Sequence, residues 1–319
     1  MTPADTGCVG NTSGAAGFIL LGFQAVPALK PLLFLIFLFI YLLTVAGNTL
    51  IVITVTLGHH LHSPMYFFLG NLSFLEVWYP TTTVPTMLAG ILTGGRLISY
   101  GGCISQFYFF VSFAGTECIL LTVMAYDRYV AICFPLRYAA LMERGLCLKL
   151  AVIAWLSGFS PPVVTVSFLC RLHFYGHKEV DHFFCEFAPL VKAACSDTSV
   201  IEMTVFILAI SMLSIPFVLV IVSYAYIMSA ILRIPSAIGR QRAFSTCSSH
   251  LTVVIIYFGT LISIYLTPTS GHYLHLNKAL SLVYTVATPL LNPIIYTLRN
   301  KEIQRTFRKA VTNAGFLEI

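Results

Sequence analysis

Seven apolar stretches, each long enough to cross a lipid bilayer, constrain this chain more than any other feature. The hydrocarbon core of a bilayer is about 30 Å thick, so a helix needs roughly 20 residues to cross it. The stretches lie at roughly 31–57, 65–89, 103–134, 148–169, 200–231, 243–266 and 276–298. Hydrophobic residues make up 58% of the chain and charged residues only 9%, whereas about a quarter of a soluble domain is charged. The sequence therefore predicts an all-α membrane protein with seven spans.

The distribution of Lys and Arg predicts how these spans are oriented. Seven spans place the two termini on opposite sides, and basic residues collect on the cytosolic side. With the N-terminus outside, twelve of the 18 basic residues face the cytosol: Arg128, Arg137, Arg144, Lys149, Arg233, Arg240, Arg242, Arg299, Lys301, Arg305, Arg308 and Lys309. A glycosylation sequon at Asn11 agrees with this orientation. We therefore expect an extracellular segment at 1–30, a spanning domain at 31–298 and a cytoplasmic tail at 299–319.

Charge and cysteine content add two further expectations. The net charge of +6 follows from the cytosolic loops, so it does not imply a nucleic-acid partner. Cysteines on the outer side meet an oxidising environment. Cys103 opens the third span and Cys185 lies in the long loop after the fourth, so a disulfide between them could hold that loop over the bundle. Cys170 with Cys195 is the second candidate pair.

Four polar residues fall at a similar depth within the spans. Glu117 lies ten residues before Asp127, which places it about 15 Å from the cytosolic edge, and Glu76 lies about 18 Å from the same edge. Asn48 and Asn292 come from the same half of the membrane. A buried carboxylate is costly unless it is paired or protonated. We therefore expect Glu76 and Glu117 to share a cation or a proton; the alternative is two neutral acids that only hold helices together.

Several motifs identify the family that this chain resembles. They are Gly47-Asn48, LHSPMYFFLGNLSFLE at 61–76, MAYDRYVAIC at 124–133, RAFSTCSSHL at 242–251 and PLLNPIIYTLRN at 289–300. With these motifs the chain resembles a vertebrate olfactory (odorant) receptor of the tetrapod type, within the rhodopsin-like (class A) G-protein-coupled receptors. The resemblance implies a rhodopsin-like seven-helix bundle and extends over nearly all of the chain.

The resemblance also implies a ligand pocket in the outer half of the bundle. The implied pocket residues are Phe110, Val111, Ala114, Gly115, Cys118, Leu208, Ala209, Met212, Phe258, Leu261, Ile262, Tyr265, Leu282 and Thr285. None of them is ionised, so we expect a small, mostly neutral, hydrophobic volatile ligand. Phe110 stands where amine-binding relatives carry an Asp, which disfavours a cationic amine.

At the cytosolic side the resemblance implies coupling to a stimulatory, olfactory-type G protein that raises cyclic AMP. The implied activation residues are Asp127, Arg128, Tyr129, Tyr224, Asn292, Pro293 and Tyr296. The start of span 6 is basic and has no acid to hold Arg128. We therefore expect Asp127 to be the main restraint on Arg128, with Tyr224 receiving Arg128 in the active state.

Two departures from the family pattern are visible. The family phrase Phe-Cys-Gly is replaced by Phe174-Tyr175-Gly176, which leaves the second disulfide open. The usual order Phe-Tyr-Gly in span 6 is Tyr257-Phe258-Gly259 here, which puts Phe258 at the position commonly treated as the activation toggle.

The remaining expectations concern the tail, the partners and the competing functions. KEIQRTFRKAV at 301–311 alternates basic and apolar residues, as a short eighth helix lying on membrane lipids would; the alternative is a disordered basic tail. Trafficking helper proteins are expected partners. His173, His177, Asp181, His182 and Glu186 are interpreted as loop surface rather than a metal site, and no cofactor is expected. A non-olfactory class A receptor for a small lipophilic ligand is the main alternative, a transporter or channel a weaker one, and an enzyme is not expected.

Overall fold

The computed structural model describes residues 17–22, 29–58, 63–174, 178–266 and 274–299. The helices are α1 Lys30–Leu57, α2 Pro64–Thr93, α3 Tyr100–Cys133, α4 Tyr138–Leu141, α5 Arg144–Phe159, α6 Pro161–Leu169, α7 Phe187–Ala193, α8 Ser199–Leu232, α9 Ala237–Leu266, α10 Leu274–Leu282 and α11 Thr288–Arg299. A π-helical segment, Val283–Ala287, joins α10 to α11. The strands are β1 Gly17–Leu20, β2 Arg96–Ser99 and β3 Lys178–Val180.

All seven predicted stretches fall on helices, so the prediction of seven helical spans is confirmed. The fourth span consists of α5 and α6, and the seventh consists of α10, the π-helical segment and α11. Within the described residues, six spans are long and apolar enough to cross a membrane by length and composition. The remaining span, α2, has 30 residues but carries several polar side chains. The predicted eighth helix and the Asn11 sequon lie outside the described residues.

Local sequence explains where several of these helices begin and end. Pro161 and Pro162 begin α6, and proline is accepted in a first helical turn but breaks a helix interior. The break at Ser160 therefore divides the fourth span. Gly94 ends α2 with a φ of 75°, a left-handed conformation that favours glycine.

Large apolar side chains cover the outside of the bundle. Phe39 on α1 is 68% exposed and Ile215 on α8 is 61% exposed. Apolar surface on this scale is unfavourable in water but suits hydrocarbon, where association depends on close packing and internal hydrogen bonds. The exposed face therefore supports a membrane environment.

One end of the bundle, called here the disulfide end, carries a small sheet and a disulfide bond. Strand β1 lies in the middle of the sheet, antiparallel to β2 and parallel to β3. Cys103 and Cys185 form a disulfide with Cα atoms 5.5 Å apart, which confirms the first predicted pair. The Gln106 side chain reinforces this link, because its Oε1 accepts a hydrogen bond from the Cys185 amide at 2.9 Å.

Cys170 and Cys195, the candidate second pair that the sequence left open, are not bonded to each other. Cys170 is a free, exposed thiol at the end of α6, where it lies beside Tyr100 of α3. Cys195 is disulfide-bonded, but not to Cys170. The Cys195 amide instead donates a hydrogen bond to the His173 carbonyl at 2.9 Å. Cys195 therefore lies beside His173, which follows the end of α6.

Close contact between α3 and α5 depends on Gly158. A Cβ atom at Gly158 would lie 2.8 Å from the Ser112 carbonyl oxygen of α3, well inside van der Waals contact. Backbone atoms cannot yield as a flexible side chain can. The two helices can therefore approach this closely only because residue 158 has no side chain.

We expect Gly158→Ala to destabilise the protein by about 1–3 kcal/mol, because the added methyl group overpacks the α3–α5 contact. Gly259→Ala is the matched control, since a Cβ atom there meets nothing within 4 Å. The measurement is the melting temperature of both variants in the same detergent. Equal melting temperatures for the two variants and the wild type would show that the α3–α5 contact does not depend on Gly158.

Candidate functional site

A cavity of about 200 Å³ lies toward the disulfide end of the bundle. It is bounded by α3, α5, α6, α7, α8, α9 and the π-helical segment. Helix α3 contributes Phe110, Val111, Ala114, Gly115 and Cys118, whose spacing puts them on one helical face. The volume is below the range of about 300–1,000 Å³ of most drug-sized sites, so the cavity suits a small molecule.

The cavity contains most, but not all, of the pocket residues expected from the sequence. Besides the five α3 residues, its lining includes Leu208, Ala209, Met212 and Leu261. Phe258, Ile262, Leu282 and Thr285 do not line it. Phe258 is 1% exposed and packs on the Phe217 ring, while the Thr285 hydroxyl donates to the Ser281 carbonyl within its own span. The Tyr265 side chain lies outside the described residues.

The sequence interpretation missed several cavity-lining residues. They are Phe107, Gly158, Pro161, Pro162, Thr165, Glu186, Phe187, Val205, Leu213, Tyr257, Ile264 and Tyr284. On α9 it is Tyr257, not its neighbour Phe258, that lines the cavity, and its hydroxyl donates to the Ala114 carbonyl at 2.5 Å. Tyr257 therefore links span 6 to span 3. The sequence offered one signal for this role, because a buried tyrosine hydroxyl usually finds a hydrogen-bond partner.

Polar side chains meet below the cavity at the depth expected from the sequence. Glu76 and Glu117 are both fully buried and lie close enough to interact electrostatically. Neither carboxyl oxygen of Glu117 has a hydrogen-bond partner among the described residues. The Asn292 amide donates a hydrogen bond to Glu76 Oε1. Asn48 Nδ2 donates to the Pro289 carbonyl at 3.1 Å, which joins α1 to α11. Two ionised carboxylates in contact would repel each other, so this arrangement suits a shared proton or a bound cation.

At the opposite end of the bundle, Asp127 is held by a residue outside its own triplet. Asp127 Oδ1 accepts a hydrogen bond from the Tyr138 hydroxyl at 2.7 Å. Burial, together with the neighbouring Asp127 carboxylate, raises the pKa of Tyr138 well above its usual value, so the hydroxyl remains a donor. Neither ion pair of the described residues involves Arg128. Asp127 and Arg128 still lie close enough to interact electrostatically, so the restraint of Arg128 by Asp127 stays a prediction. Tyr138, at the start of α4, is an additional partner of the Asp127 carboxylate.

Tyr224, expected to receive Arg128, already has a partner on α9. Its hydroxyl shares a hydrogen bond of 2.7 Å with His250 Nδ1, and the two rings are stacked. Arg128 lies close enough to His250 and Cys247 to act on both electrostatically. Helices α3, α8 and α9 therefore meet at this end. The Tyr296 side chain lies outside the described residues.

The polar residues after the fourth span do not all form a loop surface, which corrects that interpretation. His182 is only 2% exposed, and its Nε2 lies 3.0 Å from Glu186 Oε2. The Cys103–Cys185 disulfide draws this part of the loop over the bundle, where His182 stacks against Phe183. Among the described residues no group of His, Cys, Asp and Glu side chains has the composition of a metal site. His177 lies outside them.

Comparison with known proteins decides the family. A family model described as "Olfactory receptor" matches residues 37–314. The human olfactory receptor 11L1 is 51% identical over 301 residues, covering 94% of this chain and 94% of the relative. The mouse olfactory receptor 6B9 is 47% identical over 301 residues, covering 94% of this chain and 95% of the relative. The human olfactory receptor 6P1 is 48% identical over 294 residues, or 92% of this chain.

The chain belongs to the olfactory receptor family. The resemblance expected from the motifs is thus confirmed, and so is the seven-helix membrane architecture. Members of this family are signalling receptors rather than enzymes. In this receptor the cavity lies near the disulfide end, and the α3–α8–α9 contacts lie at the opposite end of the bundle.

We expect Glu117→Gln to weaken the agonist response of the receptor about tenfold, which corresponds to about 1.4 kcal/mol. Glutamine keeps the size of the side chain but carries no charge and cannot share a proton with Glu76. The measurement is the agonist concentration for half-maximal cyclic-AMP production at matched surface expression. Glu202→Gln is the control, because Glu202 is exposed at the start of α8. If both the response and the melting temperature of Glu117→Gln were unchanged, Glu76 and Glu117 would not act as a functional pair.

We expect Tyr138→Phe and Asp127→Asn each to raise basal cyclic AMP several-fold, because a hydrogen bond to a charged group contributes about 1.5–3 kcal/mol. Tyr138→Phe removes only the donor hydroxyl. The control is Tyr126→Phe, since the Tyr126 side chain is 39% exposed on α3, the helix that carries Asp127. Basal signals equal to those of the wild type, at equal surface density, would show that this hydrogen bond does not restrain the receptor.

Proposed function

We propose that this chain is an odorant-activated receptor of the plasma membrane, with its N-terminus outside and its tail in the cytoplasm. A small, mostly neutral, hydrophobic volatile molecule binds in the cavity and shifts the receptor toward a state that activates a stimulatory G protein. The cavity is the observation that carries the proposal. Its lining is mainly apolar, and the described lining residues include a single charged side chain, Glu186.

The apolar lining determines which ligands gain from binding. Aliphatic and aromatic side chains offer dispersion contacts and remove apolar ligand surface from water, which is worth roughly 25 cal/mol per Å². Hydroxyl groups of Tyr257 and Tyr284 lie among them, and such groups orient a ligand more than they hold it. Volatile molecules are small and weakly polar, so they match this surface.

The path from the cavity to the G protein is proposed to follow α9. Tyr257 contacts α3 at the cavity through the Ala114 carbonyl, and His250 contacts Tyr224 of α8. These two residues are seven positions apart, so they lie on the same face of α9 about 10 Å apart along its axis. A ligand that alters the Tyr257 contact can therefore bias the position of the α9 segment that carries His250.

The ligand acts only through its preference for one of two states. A ligand shifts a two-state equilibrium by no more than its difference in affinity for the two states. In the proposed active state the α9 end near His250 moves away from α3 and opens a cleft for the G protein. Breaking the Tyr224–His250 hydrogen bond is then part of the free energy that the ligand must supply.

Membrane lipids and trafficking helper proteins complete the proposed partners. The apolar exposed faces of α1 and α8 contact acyl chains under this proposal. Helper proteins are proposed because seven helices with polar interior groups must assemble before export.

The test is a screen of a broad panel of volatile molecules, with cyclic AMP as the readout, in cells that also express an olfactory trafficking helper. We expect at least one small, neutral, hydrophobic volatile to raise cyclic AMP. The variant Ala114→Phe should weaken that response at least about tenfold, because a phenyl ring fills part of the cavity.

Leu219→Phe is the matched control for the cavity variant, since Leu219 on α8 is 51% exposed on the outside of the bundle. It should respond like the wild type. No response to any volatile at confirmed surface expression would count against the receptor function. A ligand-dependent current that persists without G protein would instead favour a channel.

A further inference from the structure

Glu186 introduces a carboxylate into a cavity that is otherwise without charge among its described lining residues. It directly follows Cys185, which is bonded to Cys103 at the start of α3. The Cys185 amide is also fixed by Gln106, and Gln106 Nε2 donates to the Thr82 carbonyl of α2 at 2.8 Å. The backbone beside Glu186 is therefore anchored to two spans, so its side chain is held in place over the cavity.

Three neighbouring side chains orient the Glu186 carboxylate. His182 Nε2 lies 3.0 Å from Oε2, and the Tyr284 hydroxyl donates to Oε1 at 3.1 Å. The Ser281 hydroxyl donates to Oε2 at 3.5 Å. An ionised carboxylate can accept about four hydrogen bonds. His182, Tyr284 and Ser281 occupy only part of this capacity, so the carboxylate can still accept a hydrogen bond from another donor.

Glu186 lines the cavity, so its carboxylate is within reach of a molecule bound there. The Glu186 side chain is 23% exposed, and both Glu186 and Tyr284 line the cavity. Glu76 and Glu117 differ in this respect, because they are fully buried and do not line the cavity. Among the described acids, Glu186 alone is therefore placed to contact a molecule in the cavity.

The Glu186 carboxyl group is ionised at neutral pH. Burial raises its pKa, but the charge of His182 and the hydrogen bonds from His182, Tyr284 and Ser281 outweigh burial, so its pKa lies below the usual value. An anionic acceptor makes stronger hydrogen bonds than a neutral one. It also repels a second anion.

We propose that Glu186 accepts a hydrogen bond from a hydroxyl group of the ligand, so that the receptor prefers alcohols and phenols to ethers, ketones and carboxylic acids of the same skeleton. This inference rests on the proposed function. The ligand's hydrocarbon part occupies the apolar lining from α3 and α8, and its hydroxyl group lies at the disulfide end beside Glu186 and Tyr284.

A hydroxyl group fits this position better than an ammonium group does. His182 Nε2 already lies 3.0 Å from the carboxylate, and Lys278 lies 2.5 Å from Asp181 of the same loop. An ammonium group would compete with His182 for the carboxylate and lose its own hydration. A neutral donor needs only the spare acceptor site.

The experiment compares octanol with octyl methyl ether, octanal, octanoic acid and octylamine, and repeats the comparison with the hexyl series. The readout is the concentration for half-maximal cyclic AMP in cells with matched surface expression. We expect octanol or hexanol to act at a concentration at least about tenfold lower than the matched ether, as a hydrogen bond to a charged group predicts. The acid should be the weakest member.

Glu186→Gln should bring the ratio of alcohol potency to ether potency close to one. The amide keeps the side-chain size and a carbonyl acceptor for Tyr284, but it has no charge. Asp181→Asn is the matched control, because Asp181 is an exposed acid of the same loop that pairs with Lys278 outside the cavity. It should keep the full preference for the alcohol.

Four outcomes would overturn the inference, and three of them need no variant. They are equal potency of alcohol and ether at the wild-type receptor, no response to any alcohol of the two series, and a stronger response to the amine than to the alcohol. The fourth is an unchanged preference in Glu186→Gln. A response to other volatiles in the broad screen would still support the proposed receptor function, so the two failures can be told apart.

Discussion

A polar group without a partner inside hydrocarbon costs several kcal/mol, and the packing of this receptor follows from where its sequence places such groups. Asn48 reaches across to the Pro289 carbonyl, and Asn292 reaches the Glu76 carboxylate. Trp155 donates to Asn71 Oδ1 at 3.1 Å. These contacts join α1 to α11, α11 to α2 and α5 to α2. Lipid offers no competing partner, so each of them also fixes the register of two helices.

The same constraint makes α3 the centre of the bundle. Its disulfide end holds the loop, its middle lines the cavity and carries Glu117, and its opposite end carries Asp127. Because α9 contacts α3 at Tyr257 and α8 at His250, a displacement at the cavity must change hydrogen bonds that have no substitute in hydrocarbon. Such contacts favour two discrete arrangements over continuous deformation. The contacts of α9 with α3 and α8 therefore give the receptor a physical basis for switching between two states.

The spans and the depth of Glu76 and Glu117 could be predicted from the sequence because both depend on helix geometry alone. The rise per residue places two acids at one depth whatever surrounds them. The Cys103–Cys185 disulfide was also predictable, because the position of each cysteine relative to the membrane limits its partners. Family motifs supplied the α3 and α8 sides of the cavity, where spacing on a straight helix determines the face.

The positions of the other site residues depend on the rotation of a helix about its axis and on the path of a loop. Neither can be deduced from the spacing of residues in the sequence. Tyr257 and Phe258 are adjacent, so about 100° of rotation of α9 decides which ring faces the cavity. The hydroxyl of Tyr257 finds the Ala114 carbonyl, whereas Phe258 packs on Phe217. Glu186 belongs to a loop, where charge and irregular spacing indicate a solvated surface. Only the disulfide, acting with Gln106, turns that segment inward.

Glycine at the α3–α5 contact connects the stability of the bundle to the shape of its cavity. Gly115 and Gly158 both line the cavity, and a Cβ atom at Gly115 would lie 3.2 Å from the Gly158 Cα atom and 3.2 Å from Met212 Cε. Any side chain there would separate α3 from α5 and also reduce the space for a ligand. Small residues let helices in a membrane approach closely. In this receptor that close approach also forms one wall of the cavity, so the packing that stabilises the bundle also limits the volume of the cavity.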